Sequence, residues 1–259
     1  TVLTIFIIAL GISQLVGIQT AIESIKSSIN DNFTNMGANT FTIRNKNGNI
    51  KVGKKGTKAK RYPAITYAEA VKFKETFHTT TSLATIATGM GVIKSKSKKT
   101  DPNIRVMGVD ENYLTTSGYV LASGRNMNEE EALNGRNVAL IGMEVKNNIF
   151  GEQNATGELI TIGSNKYRVI GVLEEKGSSM SFGGDKNCLI PINNSRQYFG
   201  YANQAFTISS ISEGSEMLET AVSEATARMR ITRRLKPSEE NNFDVVRSDN
   251  LAQTLISNI

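Results

Sequence analysis

The first 21 residues, TVLTIFIIALGISQLVGIQTA, carry no charge; the earliest charged side chain is Glu23. A helix needs roughly 20 mostly apolar residues to cross a hydrocarbon core. The stretch is therefore expected to be the outer part of a transmembrane helix. The core of a signal peptide and a buried soluble helix are the competing readings, but no small-x-small pattern closes the run as a cleavage site would. The helix is expected to continue outward as a stalk. Ile18, Ile22, Ile25 and Ile29 recur at steps of four and three among Glu23, Lys26 and Asp31. This is a narrow apolar seam on a charged helix, suited to one partner helix. At the other end Leu251, Leu255 and Ile259 stand four apart and share a helical face. Neither seam is wide enough to bury itself alone, so the two are expected to pack antiparallel.

Between these ends the composition is that of a folded globular chain. Of 259 residues, 39% are hydrophobic and 21% charged, which supports a real core and argues against global disorder. The net charge of +6 is mild, and much of it clusters in KNGNIKVGKKGTKAKRYP, a glycine- and lysine-rich loop. That loop carries Gly48, Gly53 and Lys54 at the spacing of a phosphate-binding loop. Lys55 stands where a metal-binding hydroxyl is required, and no apolar helix follows, so no nucleotide site is expected there. One cysteine, Cys188, rules out an intramolecular disulfide, and one histidine, His78, rules out metal sites built on two. No nucleophile with a placed base is evident. Asp185, flanked by glycines, is the best isolated carboxylate, and a turn residue is its simpler reading. Arg228, Arg230, Arg233 and Arg234 read as a solvated helix end, where cations are favoured. No catalytic residue, cofactor, metal or nucleic-acid partner is expected.

Periodicity yields an α+β chain. Asn39 to Arg44 reads as a strand. Thr66 and Glu69 form a capping box ahead of a helix whose apolar face holds Ala70, Phe73 and Phe77. LATIATGMGVIK reads as a strand pair or a bent strand, Ile104 to Val109 as a strand, and Asp110 to Thr116 as a short helical turn. Then come the strand NVALIG, a helix from Met143 to Phe150 closed by Gly151, and two strands joined at Gly163-Ser-Asn165, a hairpin signal. Lys186 to Ile192 reads as the next strand. Gln204 to Ser210, Glu213 to Leu235 and Phe243 to Arg247 read as strand, helix and strand.

The order of these segments resembles the periplasmic core domain of the MacB-type ABC-transporter permeases, relatives of the lipoprotein-release and FtsX-like permeases. The residues that carry the resemblance are Gly124-Arg125, VALIG ending at Gly142, Ile149-Phe150-Gly151, the run from Gly157 through Tyr167 to Gly171, and Asp185 through Pro191. LTIFIIALGI at the start and MGANTF after the stalk also fit. The resemblance implies a discontinuous strand-helix-strand (porter-like) subdomain with an inserted mixed β subdomain. The expected limits are 1–33 for the transmembrane helix and stalk, 34–101 for the first porter part, 102–201 for the insertion, and 202–259 for the second porter part and the start of a return stalk. It also implies a non-catalytic permease subunit on the outer side of a bacterial inner membrane. Its expected partners are a cytoplasmic ABC ATPase, a second permease copy or a paired permease, and a periplasmic or outer-membrane protein. A ligand-sensing ectodomain of a membrane receptor is the alternative the residues leave open. The segment that follows residue 259 in the gene separates the two.

Overall fold

The computed structural model describes residues 11–20, 39–46, 62–96, 98–175, 185–214 and 216–248. The stalk residues Ile22, Ile25, Ile29, Leu251 and Leu255, and the lysine-rich loop over 47–61, lie outside them. Residues 11–20 are helical, and Ile12, Leu15, Val16 and Ile18 on that stretch are each more than half exposed. Among the described residues no helix is long and apolar enough to cross a membrane.

All twelve described strands belong to one sheet, ordered β12-β1-β11-β2-β5-β10-β7-β9-β8-β3-β4, with β6 added on β9. One end is an interrupted strand-helix-strand repeat. β1 (Thr40–Asn45), α1 (Tyr67–Thr76) and β2 (Thr81–Gly91) come first in the chain; β11 (Phe206–Ile211), α6 (Leu218–Thr232) and β12 (Phe243–Arg247) come last. Each late strand pairs antiparallel to an early one, so β11 lies between β1 and β2. A strand-helix-strand unit needs room for a strand between its two parallel members, and the second unit supplies that strand. Both helices cover one face. Phe41, Ile43, Phe73, Phe77, Ile208, Ala225, Met229 and Phe243 form the core beneath them. Phe73 stacks on Phe77 at 5.0 Å, and Phe41 meets Phe77 edge-on at 6.0 Å.

The middle of the chain builds the other half. β3 (Ile93–Ser95) and β4 (Lys98–Lys99) form a small hairpin, and β5 (Ile104–Val109) leads into α2 (Tyr113–Thr116), β6 (Leu121–Gly124) and α3 (Glu129–Leu133). β7 (Val138–Ile141), α4 (Met143–Phe150), β8 (Leu159–Ile162), β9 (Asn165–Leu173), β10 (Asn187–Pro191) and α5 (Ile192–Phe199) complete it. β5 and β7 run parallel to β10 and β9 respectively, while the other pairs are antiparallel. Pleating puts Ile160, Ile162, Tyr167 and Val169 on the same buried face. Ile93 of β3 joins that core, and β3 pairs with β8. Residues 34–101 therefore supply strands to both halves of the sheet, not to the porter-like half alone.

Three local outcomes differ from the periodicity reading. The β10 strand stops at Pro191 and α5 begins at once, an element that sequence patterning misses. Helix α6 spans Leu218–Thr232 and not Glu213–Leu235. Its end is set by Arg234, left-handed at φ 53°, with Leu235 N–H reaching Arg230 O and Arg234 N–H reaching Ile231 O. Those two bonds satisfy the last carbonyls of the helix. Of the arginines around that terminus, Arg234 is exposed, but Arg230 and Arg233 are not free in solvent. Arg233, its side chain 3% exposed, donates to Glu69 Oε1 and to the carbonyls of Pro63, Ala64 and Asn242. Arg230 clasps the 236–241 loop through Lys236 O, Glu239 O and Asn241 Oδ1. Unpaired loop carbonyls draw both guanidiniums in, because five fixed donors can serve several acceptors at once.

Candidate functional site: the seam between the two halves

The halves meet where β2 pairs antiparallel with β5. At the end of β5 the chain turns, and Asp110 folds back onto β2. Its Oδ2 accepts Leu83 N–H at 2.8 Å, and its own N–H donates to Leu83 O at 3.2 Å. Lys74, on the last turn of α1, donates to Asp110 Oδ2 at 2.7 Å and to Glu111 Oε1 at 2.6 Å. Asp110 is 4% exposed. Burial pushes its carboxyl up to about 6, against the pull of Lys74. Burial alone would lower the Lys74 ammonium, and the two carboxylates outweigh it, so its pKa rises. Around this clasp run hydroxyl links across the same seam. Ser82 Oγ meets Thr116 Oγ1 at 2.5 Å and Asn112 donates to Thr81 O at 3.1 Å, while within the first half Thr81 Oγ1 meets Ser210 Oγ of β11 at 2.8 Å.

Helix α5 crosses the seam on the other side. Ile192 belongs to the core under α1 and α6. Two residues on, Asn194 is fully buried toward the insertion: it accepts Tyr167 Oη–H at 2.7 Å and donates to Gly135 O and Asn137 Oδ1. Ser195 presses on Gly108 of β5, where a methyl group would collide with its Cβ and Oγ. Arg196 stacks its guanidinium 3.6 Å from the Tyr67 ring of α1. One eight-residue helix thus holds a strand of each half. Beyond Ile192, the buried residues of α5 are the polar Asn194 and Ser195, so the apolar spacing that reveals most helices is missing; only the Pro191 and Gly200 punctuation hints at it.

The residues singled out by sequence sit mostly in the insertion, and several meet. Gly124 and Gly171 are register partners on β6 and β9. A side chain on Gly124, at φ 82°, would meet the Ile170 carbonyl, and one on Gly171 would come within 2.8 Å of Arg125 O and 2.9 Å of Leu140 Cδ2. Arg125 forms a two-pronged pair with Glu131, at 2.6 and 2.7 Å, which also holds the Glu131 carboxyl below its ordinary value. Gly142 lets the backbone of Asp185 pass, and Asp185 itself is a turn residue. Phe150 is buried, Gly151 ends α4 at φ 61°, Gly157 sits at φ 92°, and Pro191 joins β10 to α5. Cys188 is fully buried, and burial pushes its thiol up to about 12. His78 lies exposed just past α1. Among the described residues no group of three metal-ligating side chains converges.

A split α+β repeat, interrupted by a mixed β stretch on one continuous sheet, defines an α+β domain whose described core falls into three clusters. The chain belongs to the MacB-like periplasmic core domain family, whose model matches residues 1–237. Macrolide export ATP-binding/permease protein MacB of Bdellovibrio bacteriovorus is 29% identical over 185 residues, 71% of this chain and 28% of that protein. The protein of the same name from Aggregatibacter actinomycetemcomitans is 25% identical over 256 residues, 98% of this chain and 38% of that protein. The chain therefore spans well under half the length of these curated relatives. Among solved structures, the periplasmic region of MacB from Actinobacillus actinomycetemcomitans has a TM-score of 0.66 at 20% identity, covering 88% of this chain and 97% of that one. The extracellular domain of the ABC-type transporter YknZ from Gram-positive bacteria has a TM-score of 0.59 at 17% identity, covering 81% and 100%.

Proposed function

We propose that the chain is the extracytoplasmic domain of an ABC-transporter permease, and that it passes motion driven by a cytoplasmic ATPase to substrate export or to a partner protein. The observation that carries this reading is the shared seam. One continuous sheet, one buried clasp at Asp110 and one straddling helix make the two halves move together when the end strands β12 and β1 are displaced. Those strands adjoin the chain segments expected to reach the membrane. In this reading the protein itself is not catalytic, works beside a second permease copy or a paired permease, and meets a periplasmic or outer-membrane partner. The family match supports the location, and the relatives named as ATP-binding/permease proteins support the ATPase.

The test is paired cysteines in the full-length protein in membranes, in a Cys188→Ser background. Ile25→Cys is combined with Leu251→Cys and with neighbours one turn either way, because seams set a helical face and not its offset. Cross-linking whose yield changes with nucleotide is the expected result. No cross-link for any pair in any nucleotide state would leave the first helix a plain anchor and overturn the transmission model.

A further inference from the structure

The outer face of the β4-β3-β8-β9 end of the sheet is cationic in a way that the fold does not require. Strand register places Lys99 opposite Lys94, Lys94 opposite Thr161, and Thr161 opposite Lys166. Directly opposite residues point to the same face, so Lys99, Lys94 and Lys166 form one row across four strands. Strands lie about 4.8 Å apart, which makes the row roughly 14 Å long. In the next row on that face Arg168 stands opposite Leu159. The other face of these strands is the buried one, with Ile93, Ile160, Ile162 and Tyr167. Lys94, Lys99, Lys166 and Arg168 are all exposed. Among the described residues none of the four makes an ion pair, while Glu158, the acidic side chain on the groove of about 420 Å³ beside them, is already paired with Lys96 at 3.2 Å.

Two lysines directly opposite one another weaken a strand pair. Lysine on an edge strand can be explained as protection against edge pairing, and β4 is such an edge. That explanation does not reach Lys166 and Arg168, because β9 is an interior strand flanked by β7 and β8. An acidic protein surface is a poor match for this face. Protein interfaces centre on aromatic and large apolar anchors, and the only exposed large apolar side chain in these two rows is Leu159. Lysine ammoniums bind phosphate as point charges without demanding a fixed bidentate geometry, which suits a row of them to the repeating charges of a flexible phosphate chain. A bilayer fits poorly as well: β4 is the far end of the sheet from β12 and β1, which adjoin the expected membrane segments.

We infer that this face binds a phosphate-rich polymer of the cell envelope. The inference does not depend on the transport reading. Electrostatic binding of this kind releases counterions, so affinity falls linearly with salt on logarithmic axes, by about 0.7 per neutralised phosphate on a single-stranded polyanion. Four cations then give a slope of about −3.

The experiment measures binding of long-chain inorganic polyphosphate, as a function of salt, to the full 259-residue chain in neutral detergent, in a background in which the separate lysine-rich loop is neutralised (Lys51, Lys54, Lys55, Lys58 and Lys60 each to Gln). The expected outcome is a slope near −3. It should become shallower by about 1.4 in Lys94→Gln/Lys166→Gln, with affinity at low salt down at least about tenfold. Lys94→Arg/Lys166→Arg should bind like the parent, and the charge-matched control Lys72→Gln/Lys236→Gln should leave both readouts unchanged. Thermal melts confirm that each variant is folded, and a second pair, Lys99→Gln/Arg168→Gln, which should make the slope shallower by the same amount, tests the face even if the first glutamine pair is unstable. No binding of polyphosphate, equal weakening by the control pair, tighter binding of poly-glutamate than of polyphosphate, or binding only to vesicles containing phosphatidylglycerol would each overturn the inference.

Discussion

At the scale of single residues, the buried carboxylate of Asp110 controls the most. Its pKa of about 6 in the folded chain stands above the ordinary value of 3.8, mainly through burial. A group raised in this way binds its proton more tightly when folded, so the native state loses stability as pH climbs from about 4 to about 6 and is level above that. Denaturant melts at pH 4, 5, 6 and 7 should show this decline, and Asp110→Asn should remove it. Lys74→Met should cost about 3 kcal/mol at pH 7.5, because it strands a buried carboxylate. The same substitution should cost clearly less at pH 5, where Asp110 is largely protonated and needs no partner. An equal penalty at both values would show that Lys74 acts by packing. The glycine pair makes a second residue-scale case. Gly171→Ala forces a methyl against Arg125 O and Leu140, and should cost about 2–3 kcal/mol in urea melts, as overpacking does. Gly151→Ala meets no neighbour and should cost roughly 1–3 kcal/mol from its backbone alone, at φ 61° and ψ −126°.

At the scale of elements, charge alone is a poor guide and the surroundings of each charge decide its role. Arg228 pairs with Glu224 one helical turn away on an exposed surface, and such pairs are worth about 0.3–0.5 kcal/mol. Arg233 is buried against four acceptors and joins the end of α6 to the capping box that starts α1. Arg233→Ala should therefore lower stability by roughly 2–4 kcal/mol, while Arg228→Ala changes it by less than about 0.5, both read from chemical denaturation. Several elements were legible in advance. The capping box at Thr66 and Glu69, the strands Ile104–Val109 and Phe243–Arg247, and the helix Met143–Phe150 all announce themselves by alternation, helical spacing or a closing glycine. Gly163, at φ 60° in the first loop position, makes the two-residue hairpin that the β8 and β9 patterns imply. Helix α5 was not legible, since Asn194 and Ser195 fill its buried side and neither is a residue that patterning counts as core.

At the scale of the whole molecule, the two halves share a sheet, and the limits of each are a matter of strand pairing more than of chain order. We propose that the insertion's independent unit begins near residue 92. β3 pairs with β8, Ile93 is fully buried in the insertion's core, and Thr100 holds Ile93 by both backbone and side chain. An excised 92–201 segment should give dispersed amide resonances and melt cooperatively. A 102–201 segment lacks β3 and β4, exposes the edge of β8, and should be less stable or aggregated. If both segments behave alike, the hairpin contributes nothing to the fold of that half.

The sequence by itself determined the local geometry and the family. Apolar alternation, capping residues and glycines with positive φ are short-range constraints, and they read out wherever the neighbours along the chain are the neighbours in space. Only the tertiary structure decided which distant polar side chains meet. Lys74 and Asp110 are 36 residues apart, Arg233 and Glu69 are 164 apart, and Tyr167 reaches Asn194 across 27. Each is an ordinary surface-type residue until folding brings its partner within hydrogen-bond reach and removes the water. The Lys99–Lys94–Lys166 row has the same origin: three lysines scattered over 73 residues become one cationic line because strand register, and nothing in their sequence spacing, sets them side by side.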